Sequence, residues 1–168
     1  MPFTPFHFGP GLLIKSVIPN KFSLISFIFV NVVIDFESLY YILTQQYPYH
    51  RFFHTYLGVI VPILISLTCL FLFARFPKNT LFLGELPKEF SKTSILTGVI
   101  IGGLSHICLD SIMHDDIRPL DPFSSDNNLH LIVTLNCLHL FCLATGLVGG
   151  SIIMVRFIRT KMFNKINS

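Results

Sequence analysis

Apolar residues fill four long stretches of this chain, at 22–43, 56–73, 95–114 and 130–155, and polar residues crowd between them. A bilayer core about 30 Å thick needs about 20 apolar residues per helical crossing. The pattern therefore predicts an all-α polytopic membrane protein, one domain with about four transmembrane helices. A shorter apolar run, 10–18, starts at Pro10 and stops at Pro19-Asn20. At about 1.5 Å per residue it crosses half a bilayer, so it is expected to be an interfacial or re-entrant helix with proline as its start and stop signal. The second stretch carries no charge and holds Pro62, which is expected to kink it.

Composition sharpens this picture. The chain has 168 residues, of which 52% are hydrophobic and 12% charged, and its mean hydropathy is +0.67. That is too apolar for a soluble domain of this length. No base precedes the first apolar run and no A-x-A site follows it, so a cleavable signal peptide is not expected. With a net charge of +3, no Trp and no long basic run, no nucleic-acid partner is expected. The bases bear on orientation instead. Lys15, Lys21, the polar loop 74–93 with Arg75, Lys78, Lys88 and Lys92, and the basic C-terminal tail 156–168 with Arg156, Arg159, Lys161 and Lys165 fall on one side of four crossings. Arg51 and Arg118 fall on the other, and the positive-inside rule then places the C-terminus in the cytoplasm. Cys69, Cys108, Cys137 and Cys142 form no CxxC pair and read as small buried hydrophobes.

The candidate chemistry lies inside the apolar stretches. Gly98, Gly102, His106, Asp110 and His114 recur every fourth residue, and helical side chains at that spacing stack on one face. A carboxylate near the bilayer centre costs about 2.5–3.5 kcal/mol even on insertion scales, so this stripe should face a partner, a water-filled cavity or a metal. Gly98 and Gly102 make a GxxxG step that admits a second helix closely; Gly146 and Gly150 repeat it, and two such faces allow a homo-oligomer. Asn31, Asp35 and Ser38 share a face of the first stretch, whereas Asp35 and Glu37 are about 200° apart on a regular helix, and Asp35 is the one expected to point inward. His50 and His54 share a face if the second helix begins a turn early.

His50, His54, His106, Asp110 and Asp35, with His114 and His7 in reserve, form a mixed nitrogen and oxygen donor set suited to a divalent metal, zinc first, with manganese or iron as alternatives. The surplus of ligands implies a second shell that orients the imidazoles or a two-metal site. A bound metal with an open position turns water into a nucleophile, which points to hydrolysis of an ester or phosphoester. Arg51 and Arg118 would clamp a phosphate, and Asp115 or Asp116 would serve as general base. Two other readings stand beside this one. Intramembrane His and Asp relays also move metal ions or protons, and a polar stripe also locks helices together. Nothing ionisable precedes His106 in its stretch, which favours a one-sided site over a transport path. His139 with Asn136 reads as an interhelical hydrogen bond, and His130 as solvated.

The opening FHFGPG around His7, Asp35 after an apolar run, HRFFHT, and GGLSHICLDSIMH followed by RPLDPF resemble the YdjM-like family of bacterial inner-membrane proteins, described as metal-dependent hydrolases. The resemblance runs to about Phe123. It implies a multi-pass protein of the bacterial inner (cytoplasmic) membrane, surrounded by lipid bilayer, with His7, Asp35, His50, His54, His106 and Asp110 as the polar positions of the family motif. A site at membrane depth suits a small-molecule or lipid-derived substrate. One departure is that the family's HRGxTHS form spaces its histidines by five, whereas here they differ by four and the glycine is missing. To bring His7 to the site with a cytoplasmic tail, the N-terminus must form a hairpin that turns at Pro19-Asn20.

Overall fold

In the computed structural model residues 5–75 and 89–166 are described, and among them the chain forms five α-helices and no strand. A 3-10 turn, Pro5–His7, leads into α1 (Phe8–Val17). It is followed by α2 (Leu24–Leu43), α3 (Ile60–Arg75), α4 (Lys92–Met113) and α5 (Leu135–Ile166). By length and composition α2, α4 and α5 can cross a membrane. The 76–88 part of the expected polar loop and the last two residues of the tail lie outside the described residues.

The centre of the bundle is α2 against α4. Ser23 caps α2 by accepting from Ser26 N, while Glu89 accepts from Leu24 N at 3.0 Å and pairs with Lys15. Ser91 caps α4 in the same manner. These side chains satisfy amide donors that a helix start leaves without an intrahelical partner. The two helices close on each other where α4 has no side chains. A Cβ at Gly98 would strike the Ser23 carbonyl, and one at Gly102 would lie 2.6 Å from Val30 Cγ1 and 3.0 Å from the Phe27 carbonyl oxygen. The GxxxG step thus serves a contact within the chain. Val30, Ile34, Val59, Leu70, Ile95, Val99 and Ile107 fill the seam between α2, α3 and α4.

The first helix packs mainly on α5. Gly9 lies against the Cys142 carbonyl, Gly146 against Gly9, and Gly149 against the Leu12–Leu13 backbone, whereas Gly150 touches nothing within 4 Å. The small-residue face of α5 is therefore Gly146 with Gly149. Arg156 donates to the Ser16 carbonyl at the far end of α1.

The turn between α1 and α2 is tied to the start of α4: Ser23 N donates to the Ser94 carbonyl, and Ser94 Oγ to the Asn20 carbonyl. Lys15 donates to the Pro19 and Phe22 carbonyls, and Phe73 near the end of α3 lies against Phe90 at 5.4 Å. One end of the bundle therefore gathers Lys15, Lys21, Arg75, Lys92 and Arg156, and the histidines and aspartates sit toward the other.

Several expected boundaries shift. Helix α3 starts at Ile60, and Pro62 falls in its first turn, where a missing N–H leaves no bond unmade, so it starts the helix without kinking it. Helix α4 stops at Met113, and His114 is an extended cap. Helix α5 starts at Leu135 and absorbs the basic tail as far as Ile166. From Leu135 to Arg156 is about 31 Å at 1.5 Å per residue, close to one bilayer core, so the bases begin where the apolar length ends. Of the four free cysteines only Cys142 is buried, and Cys69 and Cys137 are exposed. Leu140, Leu147, Met154 and Phe157 are more than half exposed on α5, an apolar face that would be an aggregation liability in water.

Candidate metal centre

One turn of α4 separates His106 from Asp110. Opposite them α2 supplies Asp35, the 3-10 turn Phe52–His54 supplies His54, and the turn before α1 supplies His7. All five are buried. His106 Nε2 lies 3.1 Å from Asp110 Oδ2 and 3.4 Å from Asp35 Oδ1. His54 Nε2 lies 3.7 Å from Asp110 Oδ2 and 3.9 Å from Asp35 Oδ1. A tetrahedral ion with bonds of about 2.0–2.2 Å holds its ligand atoms about 3.3–3.6 Å apart, so these four spacings bracket the edges of such a tetrahedron.

Of the atoms that face the cluster, His54 Nε2 lies 3.4 Å from Ser38 Oγ. His7 Nε2 is 2.9 Å from Asp110 Oδ1, yet His7 Nε2, His106 Nε2 and Asp110 Oδ1 are buried with no hydrogen-bond partner among the described residues. Buried polar groups are almost always paired, and ligand atoms gathered within 4.8 Å of one another fit a cation.

The imidazoles are oriented from behind. Asn31 Nδ2 donates to the Phe27 carbonyl at 2.6 Å, which leaves its Oδ1 to accept from His106 Nδ1 at 2.8 Å. This bond needs a proton on Nδ1, so the neutral form of His106 has its lone pair on Nε2, the tautomer a ligand needs. His54 Nδ1 sits 3.4 Å from Glu37 Oε2, an oxygen that also accepts from Phe53 N at 2.8 Å. Burial lowers the pKa of His54, with Glu37 pulling the other way, which favours the neutral ring. Asn31→Ala is expected to weaken metal binding about 10–100-fold with the four ligands intact, the usual effect of losing such a partner. Competition titration with a chromogenic chelator reads it, and an unchanged affinity would remove Asn31 from the site.

A second group lies beside the first. His50, His114 and Asp116 each offer a ligand atom, all within 4.8 Å of one another. The His50 ring stacks on His114 with centroids 4.3 Å apart, and its other neighbour is His54 at 4.7 Å. Asp116 Oδ2 accepts from Tyr49 N and His50 N, and its Oδ1 lies 2.8 Å from His50 Nδ1. Burial works against the charge of Asp116, but these bonds hold it well below the usual carboxylate range. Burial pushes His114 down to about 4 against the pull of Asp110. A cavity of about 200 Å³ adjoins this group, with His50, Arg51, Thr55, Asp116 and Arg118 in its walls.

No protein-family model, curated protein or solved structure matches this chain. The site's reading rests on its geometry.

That geometry unites His7, Asp35, His54, His106 and Asp110, and it draws His50 and His114 into the neighbouring group. His50 and His54 do not share a helical face, because the chain from 50 to 59 is bend, 3-10 turn and turn before α3 begins. His114 leaves the stripe because α4 ends one residue before it. Arg51 lies over the Tyr41 ring at 3.7 Å and donates to the Pro48 and Gln46 carbonyls. Arg118 donates to the Asp115 and Ile117 carbonyls. Asp115 is exposed, and Asp116 acts first as an acceptor that clamps the 49–50 backbone. His139, read as part of an interhelical hydrogen bond, stacks on Phe6 at 4.8 Å. Asn31 and Glu37 were not assigned orienting roles from the sequence. The signal for Asn31 was its place four residues before Asp35, whereas Glu37 acts on a loop that no helical wheel displays.

Proposed function

We propose that this chain is a membrane-bound metal-dependent hydrolase of an ester or phosphoester, with Asp35, His54, His106 and Asp110 as the ligands of a divalent cation, zinc first. The observation that carries the reading is the buried quartet of two imidazoles and two carboxylates at near-tetrahedral spacing, with His106 Nε2 unpartnered among the described residues. Two buried carboxylates need compensating charge, and a divalent cation supplies it. A divalent ion brings the pKa of a bound water toward neutrality wherever its protein ligands leave a position open. Asn31 and Glu37 hold the imidazoles, and Arg51 and Arg118 flank the adjoining cavity where an anionic group would dock.

The reading extends to four crossings, with α3 and the turn before it as the shortest. It also extends to a cytoplasmic C-terminus in the bacterial inner membrane, supported by the bases gathered at one end. The sequence likeness to the YdjM-like family supports the same assignment, since six of the residues that carry it are at or beside the site. Transport is less well supported. Among the described residues the buried positions of α4 between its start and His106 are Ser94, Ile95, Gly98, Val99, Gly102 and Gly103, none of them ionisable.

Purified protein is expected to hydrolyse p-nitrophenyl esters or phosphates, to stop after chelation and to recover with zinc. Activity that survives exhaustive chelation would end the metal-hydrolase reading. In a cysteine-free background, single cysteines at Asp115 and Lys161 are expected to label from opposite faces of inverted and right-side-out vesicles. Labelling from one face would remove α5 as a crossing and with it the count of four.

A further inference from the structure

We propose that His50, His114 and Asp116 form a second divalent-cation site, and that this second ion is the one the substrate meets. The inference rests on the hydrolase reading for its chemistry but on different residues for its geometry. The first site is closed: His54 and His106 are fully buried, and Asp35 and Asp110 are less than a tenth exposed. Four protein ligands with no open position describe a site that holds an ion without offering it to a substrate.

The second group has the opposite character. Three potential ligands converge within 4.8 Å, the number that catalytic sites use while keeping a position for water or substrate. Asp116 has three of its acceptor directions filled by Tyr49 N, His50 N and His50 Nδ1. A cation held by both residues would take the place of the proton between His50 Nδ1 and Asp116 Oδ1, 2.8 Å apart, with His114 as the third ligand. The His50 and His114 rings are stacked face to face, which places two imidazoles side by side with no mutual hydrogen bond. His50 and Asp116 both border the cavity, and Arg51 and Arg118 border it as well. A cation there would share the cavity with an anionic oxygen of a phosphoester and with water. The His50 ring, packed on both His54 and His114, makes the two sites neighbours, as in two-metal hydrolytic centres.

The test uses the full chain in detergent, stripped with chelator and reloaded with manganese. Bound metal is read by elemental analysis and by electron paramagnetic resonance. Wild type is expected to hold two equivalents with the broadened spectrum of a coupled pair. His114→Ala is expected to hold one, with the six-line spectrum of an isolated bound ion, and His50→Gln repeats the test should His114→Ala not fold. One equivalent in wild type, kept in His114→Ala and lost in His106→Ala, would overturn the second site and leave the first standing. Two equivalents in both histidine variants would overturn it too. No bound metal in any form would overturn both sites together.

Discussion

His106→Ala is expected to empty the buried site and to destabilise the bundle in one step. His106 Nε2 lies against both carboxylates, 3.1 Å from Asp110 and 3.4 Å from Asp35, so its loss removes a ligand that joins α4 to α2 through the ion. Without the ion the two carboxylates face each other in a buried place with less compensation. Removing one partner of a buried charged group costs about 3–5 kcal/mol, which is a large share of the stability of a bundle this small. Elemental analysis and thermal melting of the detergent-solubilised variant read the two effects. A folded His106→Ala protein that keeps its full metal content would sink the assignment of the four ligands. Loss of stability in a series where wild type never binds metal would instead favour a stripe that only locks helices.

The second large effect is expected at Gly102, where fold and site meet. A Cβ there would press on Val30 Cγ1, on the Phe27 carbonyl and, at 3.2 Å, on Asn31 Nδ2. The last two are the groups that orient His106. Gly102→Leu should force α2 away from α4, cost about 1–3 kcal/mol or more through overpacking, and lower metal affinity although no ligand has changed. Gly150→Leu is the control, since nothing lies within 4 Å of that position, and it should leave both quantities unaltered. Equal melting temperatures for the two variants would show that the α2–α4 approach is not what seats the site.

The parts of this site that follow a regular helix could be read from spacing alone. His106 and Asp110 lie four apart on α4, Asn31 and Asp35 four apart on α2, and Gly98 and Gly102 mark the side on which these faces meet. What could not be read depends on where regularity stops. A one-residue difference in the end of α4 sends His114 to His50, and a loop of bends between α2 and α3 carries His50 and His54 to separate groups although their spacing suits a helix. Glu37 stands about 200° from Asp35 on a regular wheel, which leaves ligand and surface residue equally open, and the 51–54 segment decides it by bringing Phe53 N and His54 Nδ1 to its Oε2. The charge asymmetry was legible because membrane orientation depends on the count of bases and not on local geometry. The short helix α1 was legible from its prolines, but its partner was not, because the glycines of α5 that receive it only partly follow the expected four-residue step.

The pairing of α1 with α5 has a consequence for how the protein is assembled. During synthesis α1 leaves the ribosome before the other four helices, and the surface that Gly9 and Leu12 rest on belongs to the last of the five. Contacts so far apart in sequence form late, because the intervening chain must first be closed into a loop. The α2–α4 quartet can be in place while the N-terminal segment still lacks its seat. His7 therefore reaches Asp110 as a closing step of biogenesis, and a nascent chain halted before α5 would carry a ligand cluster whose His7 side stands open to the lipid.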